Sequence, residues 1–172
     1  MFLGVDESNH GRVPEILAVC YSNNPEDIVE GNYEKRRSKN LDKRNLGFFD
    51  FRHIIFSRED LLLLNKKQPM IIAVCEFAKY FLERGSNLEK IFIDGNLSLS
   101  QLDYLYGILE NLDISTEISF GPKYDQKIKL VNAADNWANA LHRYYATNSG
   151  LKKKKYLSHL ITPKIEDYLK IS

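Results

Sequence analysis

The residues with the most chemistry to offer are acids at the ends of apolar runs. Phe2-Leu3-Gly4-Val5 leads into Asp6-Glu7, and Ile91-Phe92-Ile93 leads into Asp94, each with a turn-forming stretch after it. Asp125 stands between two lysines in Lys123-Tyr124-Asp125-Gln126-Lys127, and Asp135 follows two alanines in Ala133-Ala134-Asp135-Asn136-Trp137. Acidic side chains are costly beside a buried sheet unless they are paired or hold a cation. Gathered without a cation, they repel and raise one another's pKa. Hard divalent ions such as Mg²⁺ or Mn²⁺ take oxygen ligands, binding through a few carboxylates together with phosphate oxygens. The plain alternatives are that Asp6 and Glu7 merely open a turn, and that Asp135 is a helix carboxylate paired with Lys or Arg.

These acids act together only if the fold collects them. Residues 1–7 read as a buried strand, with Gly4 allowing close backbone approach. Pro14 to Tyr21 reads as a second strand, antiparallel because the connection is short. Leu46 to Phe56, aromatic and β-branched, reads as a third. Ser57 then caps a helical turn carrying Glu59 and Asp60. A helix from Pro69 to Arg84 follows, with Ile72, Cys75, Phe77, Tyr80 and Phe81 on one face and Gly85 as its stop. Lys90 to Asp94 is a fourth strand. Ser98 or Ser100 caps the next helix, with Leu102, Leu105, Ile108, Leu109 and Leu112 as its stripe. Ile114 to Phe120 alternates as a fifth strand, broken by Gly121-Pro122. Residues 123–127 read as a polar loop. Leu130 to Tyr145 is a helix with Ala133, Ala134, Trp137, Ala138 and Leu141 inward, and a short helix packs back through Ile165, Tyr168 and Leu169. The order β-β-β-α-β-α-β-α implies a three-stranded antiparallel meander, then two strands that join in parallel by right-handed crossovers. That arrangement sets the ends of the first and fourth strands side by side and brings Asp6 to Asp94.

The 172 residues suit one compact domain spanning residues 1–172. A net charge of +1 does not by itself announce a nucleic-acid binder. The basic residues are clumped, however, in Lys35-Arg36-Arg37 with Lys39, Lys43 and Arg44, and again in Lys152 to Lys155. Such runs read either as solvated surface or as phosphate contacts. Cys20 and Cys75 both lie in apolar runs, which points to core residues, a reducing compartment and a cytoplasmic location. Neither a membrane-length apolar stretch nor a secretory leader is evident. No glycine-rich phosphate loop and no Ser or Cys nucleophile context is present. His53, His142 and His159 lack metal-ligand spacing, and His10 reads either as a solvent-facing turn residue or as a phosphate contact.

The motifs resemble the ribonuclease HII branch of the ribonuclease H fold. That family opens with a strand ending in Asp-Glu and a small residue, here Val5-Asp6-Glu7-Ser8. It has a later strand ending in Asp-Gly, here Ile93-Asp94-Gly95. It then carries Lys-x-Asp-x-Lys, here Lys123 to Lys127, before a Ser-Ala-Ala helix start, matched by Asn132-Ala133-Ala134. Ser38-Lys39-Asn40-Leu41 is similar to a Ser-Lys-x-Leu segment of its substrate-facing loop. The resemblance covers about residues 1–150. It implies an α/β, ribonuclease H-like fold: a mixed five-stranded sheet, three strands antiparallel and two parallel, flanked by helices. It also implies a two-metal nuclease using Mg²⁺ or Mn²⁺ on RNA or an RNA–DNA hybrid, with Asp6, Glu7, Asp94 and Asp125 as metal-binding catalytic acids. Asn9, His10, Arg12, Lys39, Lys123 and Lys127 would contact nucleic acid.

The sequence departs from the family where the sugar is recognised. A Gly-Arg-Gly turn is replaced by Asn9-His10-Gly11 followed by Arg12, and a Ser-Gly-Tyr segment by Ser149-Gly150-Leu151, with Tyr156 the nearest tyrosine. A second, poorly characterised branch of the fold is also similar, with Asp-Glu-Ser on its first strand and Ala-Asp on a late helix. In that reading Asp135, rather than Asp125, is the last ligand.

Overall fold

The computed structural model describes residues 1–8, 13–33, 49–64, 68–147 and 156–169. Its strands are β1 (Phe2–Ser8), β2 (Glu15–Ser22), β3 (Phe51–Phe56), β4 (Lys90–Asp94) and β5 (Glu117–Gly121). Its helices are α1 (Arg58–Leu63), α2 (Gln68–Leu82), α3 (Leu99–Asn111), α4 (Tyr124–Lys127), α5 (Lys129–Thr147) and α6 (Ile165–Tyr168), with a 3₁₀ turn at Pro25–Ile28. The strands form one sheet in the order β3-β2-β1-β4-β5. β1 pairs antiparallel with β2, and β2 with β3; β1 pairs parallel with β4, and β4 with β5. This is the mixed sheet that the chain order implies.

Strand alternation divides the core between the two sheet faces. Leu3, Val5, Leu17, Val19, Ile54, Phe56, Ile91 and Ile93 pack toward α2, α3 and α6. Phe2, Ile16, Ala18, Cys20, Phe51 and Phe92 pack toward α5. Each fully buried large apolar side chain contributes about 1.5–3 kcal/mol. α2 is buried at every position from Ile71 to Ala78, not along one stripe, because sheet and helices enclose it on both sides. α1 begins at Ser57, whose hydroxyl accepts from the Asp60 amide at 3.2 Å while Asp60 Oδ2 accepts from the Ser57 amide at 2.7 Å. α3 begins at Ser98, whose amide donates to Gln101 Oε1 at 2.9 Å. Cys20 and Cys75 are buried free thiols.

The structure differs from the sequence reading at several points, among them β1, which runs on through Ser8, and β3, which covers Phe51–Phe56 with Phe49 and Asp50 outside it. Residues 123–127, read as a loop, contain the single-turn helix α4; four residues are too few to show a period. β5 starts at Glu117 and takes in Gly121, which pairs with Asp94. A Cβ on Gly121 would lie 2.7 Å from the Tyr124 ring, so glycine lets that ring close over the strand. The polar stretch after β2 holds the 3₁₀ turn, and Asp27 in it accepts from Lys129 Nζ at 2.6 Å and from Ser22 Oγ at 2.7 Å. The basic run at 35–44 and the Lys152–Lys155 run lie outside the described residues.

The C-terminal stretch works as a strap. Tyr156 is buried on the α5 side. Leu160 bridges His53 on β3, and the Ile161 amide donates to the His53 carbonyl at 2.8 Å. Ile161, Ile165 and Tyr168 then enter the opposite core, where Tyr168 Oη donates to Glu76 Oε1 at 2.6 Å. Among the described residues no helix is long and apolar enough to cross a membrane.

Candidate metal centre

Asp6 sits within β1, not beyond its end. The residues sharing its face are Phe2, Gly4 and Ser8, so its side chain is directed to α5. Parallel pairing of Val5 with Ile93 brings Asp94 alongside on the next strand. Asp94 shares its face with Phe92, which also packs on the α5 side. Its Oδ1 accepts from the Asp125 backbone amide at 3.3 Å.

α4 delivers Asp125. It opens at Lys123, whose φ of 64° is left-handed and carries a strain of about 1–2 kcal/mol for a side chain with a Cβ. The turn buries Asp125 completely and leaves Lys123 and Lys127 exposed on either side of it. An antiparallel bridge between Glu30 and Ile128 pins the end of this turn, as do the Gly31 and Tyr33 amides donating to the Lys127 and Gln126 carbonyls at 2.8 Å each.

α5 delivers Asp135, and it can do so because it lies very close to β1. A Cβ on Gly4 would be 2.5 Å from the Leu130 carbonyl carbon and 2.6 Å from the Val131 nitrogen. Ala133, Ala134 and Ala138 are buried on the same side of the helix, among the larger Leu130, Val131, Trp137 and Leu141. One carboxylate oxygen each from Asp6, Asp125 and Asp135 lie within 4.8 Å of one another.

The electrostatics follow from that crowding. Burial, first, and then the charges of Asp135, Asp94 and Asp125 push the Asp6 carboxyl well above its usual range. The Glu7 amide, donating to Asp6 Oδ1 at 2.7 Å, opposes the shift without cancelling it. A set of hard oxygen donors, with Asp6 and Asp125 buried and Asp94 and Asp135 half-buried, fits a hard divalent cation, which would turn each unfavourable charge into a ligand.

The structure therefore brings Asp6, Asp94, Asp125 and Asp135 together, with oxygens of both Asp125 and Asp135 close to one of Asp6. Glu7 does not join them. Period-2 alternation sends it to the opposite face, where it hydrogen-bonds with Glu15. Burial and then Glu7 push the Glu15 carboxyl up to about 7. Of the nucleic-acid candidates, Lys123 and Lys127 flank the cluster, while Asn9, His10, Arg12 and Lys39 lie outside the described residues. His53 is fully buried against Tyr145, and burial lowers its pKa to about 3.

Sequence reading missed several polar groups around the acids. Ser8, on the Asp6 face, buries its hydroxyl with no protein hydrogen-bond partner among the described residues. Asn132 and Asn139, on α5, bond to Asp125 and Asp135. Helical spacing of three and four from Asp135 could have flagged both asparagines.

No protein-family model matches this chain, and no curated protein matches it. Solved structures do. Ribonuclease HII from Archaeoglobus fulgidus, in the structure of its complex with PCNA, matches with a TM-score of 0.54 at 16% identity, covering 98% of this chain and 84% of that one. At that identity the likeness concerns architecture. With the strand order, the mixed pairing and the flanking helices, it shows that this chain has a ribonuclease H-like α/β fold.

Proposed function

We propose that the chain is a metal-dependent nuclease that hydrolyses phosphodiester bonds in RNA or an RNA–DNA hybrid, with Mg²⁺ or Mn²⁺ as cofactor and a cytoplasmic location. The observation that carries this reading is the convergence of Asp6, Asp125 and Asp135 oxygens within 4.8 Å on a buried sheet face, with Asp94 on the adjoining strand. Those four aspartates would hold the cations. When bound, such ions would supply an activated water and charge stabilisation for the leaving 3′ oxygen.

The protein's own part is positional and electrostatic. Asp6, on the central strand, is held by the Glu7 amide. Asp125 is fixed by the turn that buries it, and Asp135 by the close seat of α5 on Gly4. Lys123 and Lys127 offer exposed positive charge beside Asp125 for backbone phosphates. Asn9, His10, Arg12 and Lys39 belong to the same proposed substrate contact. The altered turn at residues 9–12 favours a substrate preference unlike that of ribonuclease HII.

The test is cleavage of labelled RNA–DNA hybrid and RNA in Mg²⁺ and in Mn²⁺. Asp6→Asn and Asp94→Asn should each lose roughly 100-fold or more in rate, the scale of removing one preorganised charged group. Undiminished cleavage in both variants would sink the reading. The position of Glu7, on the face away from the cluster, favours a second reading: a nucleic-acid-binding protein of this fold without hydrolysis. It expects salt-sensitive binding and no product in either metal.

A further inference from the structure

α5 carries two sets of side-chain amides that reach the site, and they act on different parts of it. Asn132 Nδ2 donates to the backbone carbonyl of Asp125 at 2.7 Å, and Asn136 Nδ2 donates to Asn132 Oδ1 at 3.2 Å and to its carbonyl at 2.8 Å. That relay secures the main chain of α4. Asn139 differs, because its Nδ2 donates to the carboxylate Oδ1 of Asp135 at 2.7 Å as well as to the Asp135 carbonyl at 2.9 Å. A single amide thus clips the Asp135 carboxylate to its own helix turn. Asn139 is exposed and belongs to neither core cluster, so it has no packing role to explain its contact. A neutral donor also suits a ligand. It fixes the orientation of the carboxylate while leaving its full negative charge, where a lysine would compete with a cation.

We propose that Asn139 is a positioning residue that orients Asp135 toward Asp6 and Asp125 for a divalent cation. The inference rests on reading the aspartates as a cation site. Hydrogen-bond partners of metal ligands typically matter 10–100-fold in affinity, so Asn139→Ala should weaken Mn²⁺ binding roughly 10-fold or more.

The experiment is calorimetric titration of the whole chain with Mn²⁺, with electron paramagnetic resonance of bound Mn²⁺ alongside, and it does not depend on turnover. Asn139→Ala is compared with wild type, Asp135→Asn and Asn139→Gln; glutamine keeps an amide able to reach four residues back. The expected order of affinity is wild type, then Asn139→Gln, then Asn139→Ala, then Asp135→Asn, with the unfolding temperature of Asn139→Ala in chelator within about 2 °C of wild type. Wild-type affinity in Asn139→Ala beside a weakened Asp135→Asn overturns the role of Asn139 and leaves the cation site standing. A glutamine variant no tighter than the alanine variant also overturns it, since the amide would then not be what matters. Wild-type protein that takes up no Mn²⁺ removes both the inference and the reading beneath it.

Discussion

The two faces of the sheet both pack apolar side chains against helices, but only the α5 face brings a helix backbone hard against a strand. Toward α2, bulky branched and aromatic residues interlock: Leu3, Val5, Ile91 and Ile93 meet a helix buried from Ile71 to Ala78. Toward α5, large residues such as Phe2, Ile16, Phe51, Phe92, Trp137 and Leu141 also pack, but at Gly4 the helix backbone comes within 2.5 Å of where a Cβ would stand. The first face gains apolar burial. The second adds close approach at Gly4, which puts an acid on a helix within reach of an acid on a strand. The consequence is that the α5 side carries site geometry as well as core packing, while the α2 side carries core packing alone among the described residues.

Substitutions that separate stability from cation affinity test this division. Phe77→Ala, at a fully buried position of α2, should cost about 3–5 kcal/mol in chemical denaturation. The protein that remains folded should bind Mn²⁺ as wild type does, and a parallel loss of affinity would show that the faces are not independent. Gly4→Ala should cost about 1–3 kcal/mol, because the new methyl meets backbone that cannot rotate away. Here Mn²⁺ affinity should fall too, as α5 lifts Asp135 from Asp6. A Gly4→Ala protein with intact affinity would mean that close packing does not set the site.

The smallest effect concerns the Glu7–Glu15 pair. Its carboxyl at Glu15 is raised to about 7 from 4.5, so the stability it contributes is complete below about pH 4.5 and is lost as pH rises through about 7. Glu15→Gln should match wild type in unfolding temperature at pH 4 and exceed it at pH 8. That difference should be the same with and without Mn²⁺, since the pair lies on the face away from the cluster. If Mn²⁺ abolishes it, Glu7 belongs to the cation site after all.

Much of this was legible in the chain. The apolar runs ending in Asp6 and Asp94 marked strands, and their order implied the parallel pairing that sets those acids side by side. The end of β1 was less legible, because Ser8 continues the strand where a turn was read, and alternation then sends Glu7 away from Asp6. Asp125 and Asp135 looked like rivals because local motifs rank each acid separately; convergence is a property of α4 and α5 together. The turn at α4 rests on bonds to residues 31 and 33 and a bridge at residue 30, contacts of roughly a hundred residues' separation that no local pattern records.

The strap at the C-terminal end has a consequence for solution behaviour. An outermost strand offers unpaired amides and carbonyls to any other chain, and β3 holds that position in the sheet. Residues 160 and 161 already occupy part of its rim, and tyrosines at 156 and 168 root the segment in the interior on opposite sides. A second molecule seeking to add a strand there would first have to pull two aromatic anchors into water, so the strap guards the β3 border against fibre-like growth.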